Sequence, residues 1–403
     1  MSVRIMHVDL DAFFVEVCRR HDPALRDVEL LVVGGRRDSR GVVQSASYGA
    51  RAHGVRSGMP IAEAVRRCPD ATFVRGVFAN YRAASREVRG VLERFAPHVV
   101  MAGLDEGYLD MTGTDLLHPV SLLAFATELR HAVRQESGLD CSIGIGPNRM
   151  IAKIASDYAK PRGICEVRAG WERGFLAGLP LRALPGIGPR TGERLAVRGL
   201  ENVAQVQEMS LDDLAGLIGR DEAIALKRRA DGRGGTRLTE RVQAKSVSRE
   251  TTFRRDVSDP AELDRVLMLL AGRVAAQLRD EDLVAGAVVL KLRHGDFHTV
   301  TRRTTLKPPS NLDTPIRAAA RALLAPALAE ARRRGQAIRL LGVATTTLAP
   351  SDPGDLFTPD EVRRETEVTR AVDAVRSRYG FDALRPGRLV DQPRKPRRPG
   401  DPD

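Results

Sequence analysis

The sequence predicts an α+β protein of several domains, and three observations carry that prediction. Short apolar runs of strand length, such as Val3, Ile5, Met6 and Val8 or Val99 to Met101, alternate with stretches of helical spacing at 79–95 and 119–136. From 167 to 232 the helical pattern runs on without strands. From 246 to 350 the runs read strand, helix, strand, strand, helix, strand. At 403 residues and 42% hydrophobic content, the chain is long enough for about two to four domains with real cores.

Charge narrows the partner. A net charge of +12 and a pI near 10.1 favour a polyanion, because each neutralised phosphate releases a counterion. No long uncharged apolar run is present, so a membrane partner by insertion is not expected. Asp9 and Asp11 stand where a signal peptide needs its apolar core. The four cysteines, Cys18, Cys68, Cys141 and Cys165, are scattered without a CxxC pair, which argues against structural zinc and disulfides. Cytoplasm is the expected compartment.

Two stretches hold the acids around which the chain is organised. Val3 to Val8 delivers Asp9 at the end of a strand, and Val99, Val100 and Met101 lead through a turn to Asp105 and Glu106. Taken alone, an Asp-Glu pair in a turn is a solvated turn. Three carboxylates gathered by neighbouring strands repel one another unless a cation neutralises them, and oxygen-only ligands favour Mg²⁺ or Mn²⁺.

The remaining elements follow in order. Phe13, Phe14, Val15 and Val17 suit a helix packed under the first strand. Leu30 to Val33 and Gly41 to Gln44 read as strands, with Gly34 and Gly35 as the turn. Ser45, Tyr48 and Arg51 then offer a hydroxyl, a phenol and a guanidinium that suit a triphosphate, against the plain reading of a surface helix. Strand Cys141 to Gly146 enters a helix at Pro147, whose face Ile151, Ile154, Ala155 and Tyr158 packs inward; Lys160 falls in its last turn, favourable against the helix dipole. Leu184 to Arg190 looks like a helix-hairpin-helix turn, in which Gly186 and Gly188 let a DNA phosphate approach backbone N–H groups. Asp231 to Lys245 turns to Gly, Arg, Thr and Lys and reads as a flexible basic linker. In the last domain Lys291 and Arg293 alternate with Leu290 and Leu292, giving one basic and one packed face, with Arg302 and Arg303 on the next strand. A helix over 360–379 and a basic, Pro-rich tail finish the chain.

These segments, from Val8-Asp9-Leu10-Asp11-Ala12-Phe13-Phe14 through Asp105-Glu106 to Ala152-Lys153-Ile154 and Ala159-Lys160-Pro161, resemble the Y-family translesion DNA polymerases, most closely the bacterial DNA polymerase IV type. The likeness runs from about residue 3 to about residue 350. It implies a right-hand polymerase: a ferredoxin-like palm (1–10 and 76–166), small fingers (11–75), a helical thumb (167–232), a linker (233–245), a βαββαβ little finger (246–350) and a C-terminal extension (351–403). It further implies template-directed addition of dNTPs to a primer 3′-hydroxyl with two Mg²⁺ ions, Mn²⁺ substituting. Asp9, Asp105 and Glu106 would be catalytic and, with the Leu10 carbonyl, metal-binding. Phe13, Phe14, Ser45, Tyr48, Arg51 and Lys160 fall at nucleotide-binding positions, with Phe14 the steric gate against a 2′-hydroxyl. Gly186, Gly188, Lys245, Arg249, Lys291, Arg293, Arg302 and Arg303 would meet DNA.

Leu356-Phe357 resembles the end of the peptide by which such polymerases bind the sliding clamp, but its leading Gln is missing, and a Leu-Phe pair that packs back on the domain is the equal alternative. Low fidelity, no proofreading and a monomer on DNA are the accompanying expectations. Gly103 stands where the family usually has Ser and Gly107 where it has Ala, and neither change removes a ligand. Two rivals remain: a non-catalytic DNA-binding scaffold that keeps the fold, and a nucleotidyl cyclase, which would need no thumb or basic last domain.

Overall fold

The computed structural model describes residues 3–114, 121–239, 244–351, 360–385 and 387. It forms two compact units, Met1–Glu240 and Arg241–Asp403.

The first unit is built on a five-stranded sheet. Its strands are β1 (Ile5–Leu10), β5 (Val99–Met101), β6 (Glu106–Asp110), β7 (Cys141–Gly146) and β8 (Ile164–Glu166), in the order β5-β6-β1-β7-β8. All neighbours are antiparallel except β7 and β8. With α4 (Phe78–Phe95) and α5 (Leu122–Ser137), the first four of these strands in chain order give the ferredoxin-like β-α-β-β-α-β palm. A strand alternates its faces. Met6, Val8 and Leu10 therefore enter the main core with α4 and α5, while Ile5, His7 and Asp9 point to the other face.

That second face receives α6 (Arg149–Tyr158). Helix and sheet approach so closely that a Cβ on Gly144 would stand 2.0 Å from the Ala152 carbonyl oxygen and 2.2 Å from Ser156 N. Asn148 caps α6, its Oδ1 accepting from Ile151 N at 3.0 Å; the expected start at Pro147 is displaced because a side-chain acceptor satisfies a free N–H, which proline cannot do. Lys160 lies just beyond the helix rather than in its last turn, and Tyr158 is 66% exposed rather than packed inward.

Between β1 and α4 are α1 (Phe13–His21), β2 (Leu31–Val33), β3 (Ser45–Ala46), α2 (Tyr48–Ala52), α3 (Ile61–Arg67) and β4 (Thr72–Val74). The three strands make a small sheet, β3-β2-β4, with its own core around Val32, Val43, Ala50 and Ile61. Gly41 to Gln44, expected as a strand, contributes only an isolated bridge from Val42 to Pro60; the pairing partner of β2 is instead Ser45–Ala46. Phe13, Val15 and Val17 join the core that holds Met6, Val8 and Leu10, and Leu31 and Val33 of β2 share it, so α1 packs between the large sheet and the small one.

From Glu172 to Ala230 come α7 (Glu172–Ala177), α8 (Pro189–Ala196), α9 (Val203–Glu208), α10 (Leu211–Ile218) and α11 (Arg220–Ala230) around one core. Gly186 takes φ 88° ahead of Gly188, the N-cap of α8, a left-handed turn that disfavours a side chain. The described part of the linker is not free. Asn148 Nδ2 donates to Gly232 O, Arg149 N to Gly235 O, and His98 Nε2 lies 3.0 Å from Leu238 O.

The second unit holds β9 (Ser246–Val257), α12 (Pro260–Asp280), β10 (Leu283–His294), β11 (Thr299–Ser310), α13 (Asp313–Arg333) and β12 (Ile338–Pro350), as the sequence predicts. Its antiparallel sheet has the order β11-β10-β12-β9 and packs Leu290, Leu292 and Val343 against the two helices. The predicted last helix is α14 (Asp360–Tyr379), tied on by a bidentate pair from Arg279 to Asp373. Among the described residues no helix is long and apolar enough to cross a membrane.

Candidate active site

Antiparallel register puts Asp9 directly opposite Glu106, on the face that receives α6. Asp105 ends the turn before β6, and its carbonyl accepts from Leu10 N at 2.8 Å, which stitches the hairpin to the end of β1. The three acids thus stand on adjoining backbone.

α6 and the residues just after it supply the countercharge. Lys153 Nζ pairs with Glu106 Oε2, and Lys160 Nζ lies 2.9 Å from Asp9 Oδ1 and 2.7 Å from Asp157 Oδ1. His7, fully buried beside them, shares a 2.7 Å hydrogen bond between Nδ1 and Ser156 Oγ and places Nε2 3.5 Å from Glu106 Oε2. Its ring also packs on Tyr108 at 4.5 Å.

The three acids differ electrostatically. His7, then Lys153, hold the Glu106 carboxyl down at about 2 against the effect of burial. Burial pushes Asp9 up despite Lys160, and burial likewise raises Asp105, with Glu106 adding to it. Burial works to lower the Lys160 ammonium, but Asp9 and Asp157 outweigh it and keep its pKa above the usual lysine range. Two of three acids are therefore short of positive charge. Among the described residues no three His, Cys, Asp or Glu side chains converge as a metal-binding group; Asp9 and Glu106 each pair with a lysine instead.

The other predicted positions divide. Phe14 is half-buried, edge-to-face on Tyr81 at 4.8 Å between ring centroids, and Phe13 stands behind it at 5.1 Å. Phe13 is 2% exposed, so it supports Phe14 as core and does not reach a nucleotide itself. Ser45 is buried opposite Val33 in the small sheet. Tyr48 donates its one O–H to Asp11 Oδ1 at 3.0 Å, so the expected donation to a triphosphate is not what its phenol does here. Arg51 donates from Nε to Ala46 O and stacks its guanidinium 5.0 Å from the Tyr48 ring.

Gly186 and Gly188 are exposed at the hairpin turn. In the second unit, register sorts the basic residues by face. Lys291, Arg293 and Arg303 lie on the outer side, Arg303 opposite Val289. Arg302 stands opposite core residue Leu290 and pairs with Glu330 of α13 at 3.1 Å, so it belongs to the helix side. Arg249, opposite core residue Val343, is on that side too, at the sheet edge; Lys245 is exposed ahead of β9. Leu356 and Phe357 lie outside the described residues. Gly107 leaves room for Met101, whose sulfur would stand 2.9 Å from a Cβ there.

Sequence reasoning missed His7, Asp11, Tyr81, Lys153, Ser142 and Ser156. The one available signal was Gly144 and Gly146 on alternate positions of β7, which marks a face where another backbone comes close.

A ferredoxin-like palm with acids at the end of β1, a helical domain with hairpin turns and a separate basic sheet is the architecture of a Y-family DNA polymerase. Solved structures agree on the fold. A Y-family DNA polymerase chimera of Dbh and Dpo4 matches with TM-score 0.72 at 23% identity, over 86% of this chain and all of the other. DinB from Sulfolobus solfataricus matches with TM-score 0.55 at 24% identity, over 87% of this chain and all of the other. In sequence, the profile of the impB/mucB/samB family matches residues 8–157, and that of its C-terminal domain matches 244–356. DNA polymerase IV of Caulobacter vibrioides is 37% identical over 96% of this chain and 94% of its own length. DNA polymerase IV of Halorhodospira halophila is 40% identical over 88% of this chain and 98% of its own. The chain belongs to the impB/mucB/samB family, the Y-family DNA polymerases of the DNA polymerase IV type.

Proposed function

We propose that this DNA-directed DNA polymerase performs translesion synthesis by adding dNTPs to a primer 3′-hydroxyl at the Asp9, Asp105 and Glu106 site. The observation that carries the reading is the placement of these acids on adjoining backbone, with Lys160 and Arg51 on the elements beside them.

The donor set fits a hard divalent cation. All its ligands are oxygens, and burial leaves Asp9 and Asp105 raised, in want of more positive charge than the lysines give. Asp9, Asp105, Glu106 and the Leu10 carbonyl would hold two Mg²⁺ or Mn²⁺ ions. Such ions, when bound, neutralise the triphosphate and favour the ionised form of the attacking hydroxyl. Glu106, ionised down to about 2, is a poor proton acceptor and acts by charge and orientation. Lys160 and Arg51 take the triphosphate oxygens, Arg51 with the geometry of a fork. Phe14, braced by Tyr81, lies beneath the sugar and excludes a 2′-hydroxyl because a packed ring cannot yield without strain.

Primed template DNA is the macromolecular partner, met by the hairpin turn at Gly186 and by the outer face of the second unit with Lys291, Arg293 and Arg303. Clamp binding through Leu356-Phe357, a cytoplasmic location and a monomeric state complete the proposal; the first is supported by its sequence alone.

Primer extension with dNTPs and either metal, comparing wild type with Asp105→Ala, tests the reading. Template-matched, metal-dependent extension that falls about a thousandfold or more in the variant is expected. Clean wild-type protein that binds primed DNA without extending it would leave a scaffold.

A further inference from the structure

Asp11 lies two residues past Asp9 and is not one of the three site acids. Its side chain is 4% exposed, yet its carboxylate accepts from three donors on three different elements. Tyr48 Oη, at the start of α2, donates to Oδ1 at 3.0 Å. Ser142 Oγ, in β7, lies 3.1 Å from both oxygens. Arg162 N, in the loop after α6, donates to Oδ2 at 2.8 Å. Its own N–H is committed to Asp140 O at 2.9 Å. A buried carboxylate is costly unless its lone pairs are filled, and only an ionised acid accepts from several donors while offering none.

Two of those donors lead to cations. The Tyr48 ring carries the Arg51 guanidinium at 5.0 Å, and Arg162 is two residues beyond Lys160. We propose that Asp11 is a positioning residue for the incoming nucleotide: one carboxylate sets the places of both triphosphate cations, Arg51 through the Tyr48 ring and Lys160 through the backbone of Arg162. The proposal rests on the polymerase reading of the site.

Were Asp11 purely architectural, its replacement would lower folding stability and leave the kinetics of folded enzyme alone. A positioning Asp11 changes how well the triphosphate is held, which appears in KM for dNTP, while the acids that act on the primer terminus keep kcat near its wild-type value. Asparagine has nearly the same shape but one acceptor oxygen in place of two, so Asp11→Asn must leave at least one donor short.

The experiment is single-nucleotide insertion on saturating primed template, with wild type, Asp11→Asn, Asp11→Ala, Tyr48→Phe and the Asp11→Asn/Tyr48→Phe pair, each checked by thermal melting. In Asp11→Asn the KM for dNTP is expected to rise about tenfold, with kcat changed less than about threefold. Added to Tyr48→Phe, the same change should raise KM by a smaller factor, since both act through one contact. Should Asp11→Ala fail to fold, Asp11→Asn carries the decision. A folded Asp11→Asn with wild-type KM, or with lowered kcat and unchanged KM, overturns the proposal while the polymerase reading stands. Wild type that does not extend the primer overturns both.

Discussion

Lys160 and Asp9 form an ion pair, Nζ 2.9 Å from Oδ1, and the same ammonium also lies 2.7 Å from Asp157 Oδ1. A triphosphate must therefore draw Lys160 away from two carboxylates. Lys160→Ala is expected to raise KM for dNTP by about ten- to a hundredfold, the usual range for a charge-assisted contact. Asp157→Asn should act in the opposite direction. Asp157 is 53% exposed, so solvent screens its pull on the lysine, and KM should fall by about two- to fivefold. Steady-state insertion kinetics on the two variants check both signs, and a rise in KM for Asp157→Asn would refute the competition.

The Glu106 carboxyl is held at about 2, by His7 first and by Lys153, below its usual value near 4.5. A carboxylate whose folded pKa is depressed stabilises the fold above its unfolded pKa and loses that contribution as pH falls through the folded one. Glu106→Gln should then be less stable than wild type at about pH 7, by roughly 1–3 kcal/mol, with the gap closing from about pH 4.5 toward about pH 2. Denaturant melts of the two proteins over the acid range measure the gap. A difference that widens toward acid would contradict the pairing seen at Lys153.

Much of this was legible because it is local. The run Val3, Ile5, Met6 and Val8 announces a strand, and the alternation of Leu290 to Arg293 announces a two-faced one. What stayed hidden depends on contacts far apart in the chain. Lys153 meets Glu106 only because α6 crosses the sheet at Gly144, and nothing local to Lys153 says so. The basic, Gly-rich stretch after Asp231 reads as loose, yet Asn148 and Arg149 bind its backbone, and backbone hydrogen bonds leave no mark in side-chain composition. Arg302 and Arg303 look alike in sequence; the hairpin register alone sends them to opposite faces.

Gly144 shows how tightly the site depends on that crossing. A methyl there would lie 2.0 Å from backbone oxygen of Ala152, which no side-chain adjustment relieves. Gly144→Ala should cost about 3 kcal/mol and displace α6, carrying Lys153 and Ser156 away from Glu106 and His7. Gly90, inside α4 with nothing within 4 Å of its would-be Cβ, is the matched control. Gly90→Ala should stabilise by about 0.5–1 kcal/mol. Thermal melts beside insertion assays separate the two, and equal melting changes would mean that α6 has room to retreat.

The two faces of the second unit give the last prediction. Lys291 and Arg303 share the outer side of the sheet, where a duplex backbone can be followed without obstruction from α12 and α13. Their present partners are weak competitors: Lys291 pairs with half-exposed Glu250, and Arg303 bonds the Thr347 hydroxyl. Each phosphate that one of them neutralises releases a counterion, so Lys291→Ala and Arg303→Ala should each weaken binding to primed DNA and reduce its salt dependence by about one unit in the log–log slope. Arg302→Ala removes an equal charge from the helix side, where it pairs with Glu330, and should leave the slope nearly unchanged. Fluorescence anisotropy over a range of salt distinguishes them. Equal slope changes for Arg302→Ala and Arg303→Ala would mean that net charge, and not the face set by the register, governs contact with DNA.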